Sequence, residues 1–223
     1  MKKRILYLLF LIVLILSACS TTADSDNTEL SVLAPETEMT ITSNKTQVLK
    51  FVFENKNFTS DYDKDECFNI TPDFISDNSE YAVFKYDTSA ESFIMYNGEV
   101  YSIGDCFGGF GIISMALADI NMDGQYELYY TFSWGSGLHR SQIGYFDPVS
   151  REVTIFDYSY FGGPFSFLSS EMILTVNASG DLCVSSAIID LDSFVDFSIT
   201  AQELIGTIVL DEDEITLKLY NDQ

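Results

Sequence analysis

The sequence predicts an all-β protein: an antiparallel meander of hairpins forming a sandwich, a partial barrel or a propeller-like sheet. Short runs rich in Val, Ile, Phe, Tyr and Thr are separated by turn residues along most of the chain. No long stretch keeps an apolar stripe at the 3.6-residue period of a helix. Four segments read as strand–turn–strand units in succession, and such a series makes a meander.

The first unit is ESFIMYNGEVYSIG, in which Asn97-Gly98 can supply the two positive-φ residues of a two-residue hairpin turn. IGYFDPVSREVTIFDY follows the same plan, with Asp147-Pro148 opening the turn, and MILTVNASGDLCVSSAII turns at Gly180. GTIVLDEDEITLKLY is the fourth, with acidic residues at its tip. Two short helical turns are expected, at residues 73–78 and 200–204. The triplet FGG occurs at residues 107–109 and 161–163 without wider self-similarity, so it reads as composition and not as a repeat. With 18 Phe and 13 Tyr, aromatic side chains will fill much of the core.

Ahead of this domain stands MKKRILYLLFLIVLILSACS, in which Lys2, Lys3 and Arg4 precede an apolar run and then small residues. That is the layout of a secretory signal, and the run is shorter than the about 20 apolar residues that span a bilayer. Leu16-Ser17-Ala18-Cys19 resembles the bacterial lipobox, in which the cysteine thiol carries a lipid and becomes the first residue after cleavage. The resemblance implies a signal peptide over residues 1–18, a lipid on Cys19 and a chain tethered to the extracytoplasmic face of a cell membrane. Residues 19–45 are rich in Ser, Thr, Asp, Asn and Glu and read as a flexible tether, leaving residues 46–223 as a single all-β domain.

Removing residues 1–18 takes away three cations and no acid, from a chain whose formal charge is already −23. Nucleic acid needs clustered cations for counterion release, so it is excluded as a partner. A cation, or a protein, glycan or cell-wall ligand, remains. Cys67, Cys106 and Cys183 are an odd set once Cys19 is lipidated, allowing at most one bridge, and buried free thiols are the simpler expectation. With no CxxC and a single histidine, a zinc site of Cys and His ligands lacks parts.

One stretch is spaced for an ion. In ALADINMDGQYELYY, Asp119, Asn121 and Asp123 fall at alternate positions, Gly124 follows, and Gln125 and Glu127 come next, giving DxNxDGxxE. Calcium takes six to eight hard oxygen ligands, and such a loop offers side-chain oxygens, a sharp turn and the Gln125 backbone carbonyl. An EF-hand would close with Glu at position twelve, where this chain has Tyr130, and ELYYTF continues as a strand. The loop resembles those of FG-GAP and VCBS-type repeats, in which DxNxDGxxD precedes an apolar strand. Here Glu127 replaces the usual Asp, and the motif occurs once. The resemblance implies a structural calcium ion held by Asp119, Asn121, Asp123, Gln125 and Glu127. WGSGLHRSQIGYFDP is similar to a stretch of uncharacterised Gram-positive lipoproteins, which implies no activity.

TFSWGSGLHRSQ collects the only tryptophan, Trp134, with His139 and Arg140, and these are candidate ligand contacts by stacking and ion pairing. GSG is not the GxSxG nucleophile elbow, so no catalytic residue is assigned. The expectation is a calcium-stabilised binding or interaction module that is not an enzyme. An exported hydrolase using a carboxylate or His139, with Ser136 or Ser141, and an accessory structural lipoprotein are the alternatives.

Overall fold

A computed structural model describes residues 32–33, 67–86, 91–103, 108–136, 139–161, 169–191 and 197–220. The lipobox, most of the tether, Cys19, Cys106 and the side chain of Cys67 lie outside the described residues. The protein is all-β, built from three antiparallel sheets. The first contains β2 (Cys67–Asn69), β3 (Ala82–Tyr86), β4 (Ser92–Tyr96) and β5 (Glu99–Ser102) in that order. The central sheet runs β6 (Gly111–Ala118), β7 (Glu127–Trp134), β8 (Arg140–Asp147) and β9 (Glu152–Phe161), and β1 (Val32–Leu33) pairs with the outer side of β6. The third contains β10 (Ser169–Val176), β11 (Leu182–Leu191), β12 (Phe197–Asp211) and β13 (Glu214–Leu219). Apart from β1, neighbours in each sheet are consecutive in sequence, so the expected meander occurs three times over.

All four hairpins form as expected. Asn97 and Gly98 take φ of 50° and 79°, the left-handed pair that a two-residue turn requires. At the acidic tip Glu212 and Asp213 adopt the same left-handed region without glycine, at 47° and 73°. In the Asp147 turn the carboxylate accepts the Val149 N–H at 2.7 Å, the local bond that makes aspartate a turn residue.

The helical expectations divide. Asp73–Ser76 is a one-turn helix, α1, following Pro72. Residues 200–204 are instead strand: Ala201 pairs with Ile188 and Leu204 with Ser185, inside β12. β11 offers a full row of backbone donors and acceptors, and satisfying those outweighs a weak local helix preference.

The central sheet is covered on both faces. Leu128, Tyr130 and Phe132 of β7 pack with Val83 and Ile94 of the first sheet and with Ile103 just after it, while Tyr129 turns the other way to join Met172, Leu174 and Val184 of the third. That double cover explains why ELYYTFS is buried at seven successive positions rather than alternating. β10 lies across β6 to β9, and serines of the central sheet complete its backbone bonding. Ser141 Oγ accepts the Met172 N–H at 2.9 Å, and Ser114 Oγ accepts the Leu174 N–H at 2.8 Å. Cys183 is free and buried, in agreement with the thiol expectation for that residue.

Candidate metal centre

The loop between β6 and β7 holds its shape by bonding to itself. Asp119 accepts two backbone N–H groups, from Asp123 at 3.0 Å on Oδ1 and from Gly124 at 2.9 Å on Oδ2. Asn121 Oδ1 also accepts the Asp123 N–H, at 3.0 Å, and its amide donates to Asp123 Oδ2 at 3.2 Å. Gln125 enters through its N–H, which donates to Asp123 Oδ1 at 2.8 Å. Gly124 has φ +85° with open space where a Cβ would sit, so glycine is there for conformation and not for clearance.

These turns bring one oxygen from each of Asp119, Asp123 and Glu127 within 4.8 Å of the others. Calcium–oxygen distances of about 2.3–2.6 Å allow two ligands of one ion to stand up to about 5 Å apart, so the three carboxylates fit a single cation. They differ in setting: Asp123 is exposed, Asp119 is half-buried and Glu127 is fully buried as the first residue of β7.

Glu127 is half satisfied. Its Oε2 accepts the Ile120 N–H and the Tyr129 hydroxyl, each at 3.2 Å, while the buried Oε1 has no partner. Burial pushes its carboxyl up to about 7, the negative charges of Asp123 and Asp119 add to the rise, and the two hydrogen bonds oppose it. The three carboxylates form a donor set that could hold a divalent cation, and Glu127 Oε1 has acceptor capacity to spare for one.

The second group of expected residues gathers around the far end of β7. Trp134 and Arg140 are direct cross-strand neighbours, and the guanidinium stacks 5.0 Å from the indole centroid. The Trp134 Nε1 is buried without a hydrogen-bond partner. His139 meets the Phe110 ring edge-on at 4.5 Å and places Nδ1 3.8 Å from Glu171 Oε1. Glu171 itself is fully buried; Ser133 Oγ donates to its Oε1 at 2.8 Å, and its Oε2 has no partner. Ser141, drawn beside His139 by the sequence, accepts a backbone N–H of β10 instead, and Ser136 is exposed.

Sequence reasoning did not single out Glu171, Ser133 or Tyr129. A lone glutamate inside SSEMILTV was the available signal, because a charge in an apolar strand is either outward-facing or engaged. Lys85 in AVFKY is a parallel case, fully buried with Nζ donating to the Ile112 carbonyl at 3.1 Å. No family model, curated protein or solved structure matches the chain.

Proposed function

We propose that this protein is a lipid-anchored extracytoplasmic module whose all-β domain is stabilised by calcium in the Asp119–Glu127 loop and serves binding or interaction. One observation carries the calcium reading: the fully buried Glu127, whose Oε1 has no hydrogen-bond partner, brings a carboxylate oxygen within 4.8 Å of oxygens of Asp119 and Asp123. An ion there would neutralise carboxylates that otherwise repel one another and would tie the entry of β7 to the end of β6. Asn121 and the Gln125 carbonyl complete the expected ligand set. The anchor rests on the Leu16–Cys19 lipobox resemblance, and Cys19→Ala should abolish incorporation of labelled fatty acid.

The metal test is thermal unfolding in excess EDTA and in millimolar calcium. A ligand bound only by the native state stabilises by about 2.7 kcal/mol at a hundredfold excess over Kd. For a domain of this size that is a rise of roughly 5–10 °C in Tm. Asp123→Ala should lose the rise. Equal midpoints in both buffers would make the loop an ordinary turn.

The exported-hydrolase alternative has one observation on its side, the buried Glu171 beside His139. Against it, Ser133 donates to the Glu171 carboxylate and Ser141 accepts a backbone N–H of β10, so neither is shown bonded to the His139 ring. A hydrolytic activity abolished by His139→Ala would favour that alternative.

A further inference from the structure

Four turns converge at one end of the domain: the end of α1, the Asn97–Gly98 hairpin, the Asp119–Glu127 loop and the Asp147 turn. Between them lies a groove of about 280 Å³, with Tyr81, Tyr96 and Tyr126 among its walls and Glu80 and Gln125 beside them. Tyr81 is buried, and its ring lies 5.0 Å from that of Tyr96. We propose that this groove binds an alkylammonium group, the chemistry shared by a lysine side chain and a trimethylammonium headgroup. The assignment rests on the binding-module reading above and names its ligand class.

Two features select a cation. Aromatic faces attract ammonium groups through their quadrupole, and three tyrosines meet here. The lining contains the Glu80 carboxylate and no Lys, Arg or His. Arg151, in the neighbouring turn, is engaged by Glu99 at 3.1 Å.

Three of the donors in the groove's lining bond inward. Asn78 Nδ2 donates to the Phe74 carbonyl, Ser79 Oγ to the Ile75 carbonyl and the Tyr81 hydroxyl to the Tyr126 carbonyl, each at 2.7 Å.

The test is an NMR titration of the purified protein in millimolar calcium, following the Gly124, Gln125 and Glu80 amides. The probes are choline against its neutral isostere 3,3-dimethylbutan-1-ol, and Nα-acetyl-lysine methylamide against the norleucine analogue. Saturable shifts with the charged member of either pair, weakened at least about threefold by Glu80→Gln, are expected. The pair that responds identifies the source. Equal response to charged and neutral members, or no shift at tens of millimolar, would overturn the assignment. Calcium-induced shifts in residues 119–127 report on the metal reading separately, so either can fail while the other stands.

Discussion

The Tyr129 hydroxyl donates to Glu127 Oε2 at 3.2 Å, two residues along the same face of β7, and both side chains are fully buried. This bond, with that from the Ile120 N–H, holds one carboxylate oxygen, while the other has no hydrogen-bond partner. Tyr129→Phe should therefore loosen Glu127 as a ligand. We expect weaker calcium affinity and a loss of about 1–2 kcal/mol of stability, measured by calcium titration and by urea unfolding.

The protonation of Glu127 makes the calcium-free protein sensitive to pH. Its carboxyl is held at about 7 in the fold against 4.5 for the ordinary group, so between these values the native state holds a proton that the unfolded chain has released. Stability contributed by that proton is full below about 4.5 and is lost as pH rises through 7. In EDTA, the contribution of Glu127 should raise Tm at pH 5.5 relative to pH 7.5, and Glu127→Gln should flatten that slope. An unchanged slope in the variant would remove Glu127 as its source.

Gly124 tests conformation apart from space. A Cβ at this position meets nothing within 4 Å, yet φ is +85°. Gly124→Ala should cost about 1–2 kcal/mol and weaken calcium binding, whereas Gly124→Asn, which visits the left-handed region more readily, should cost less. Equal losses in chemical denaturation would show that the turn does not require that geometry.

Ser133 and Glu171 link the central and third sheets across 2.8 Å. Ser133→Ala leaves a buried carboxylate without its donor, and a loss of about 1–3 kcal/mol is expected. Adding Glu171→Gln to Ser133→Ala should restore part of the loss, because a neutral amide is cheaper to bury than an unpaired charge. A double-mutant cycle on equilibrium unfolding measures this coupling.

Much of the local structure was legible in the residues. Asn97-Gly98, Asp147-Pro148, Gly180 and the acidic tip at residues 211–214 each marked a real turn, because turn conformation depends on neighbours in the chain. The spacing from Asp119 to Glu127 likewise foretold that three carboxylates would meet. Residues 200–204 misled, since a weak helix preference says nothing of the unpaired strand edge waiting beside it. The groove at Tyr81, Tyr96 and Tyr126 was invisible, its lining coming from four separate segments of the chain.

By itself, the sequence determined the strand-and-turn order and the oxygen-rich loop, both products of short-range backbone conformation. Only the tertiary structure decided which oxygens go dark. Stacking the first and third sheets on opposite faces of β7 removes Glu127 and Glu171 from water, and that desolvation turns two ordinary glutamates into groups that demand partners.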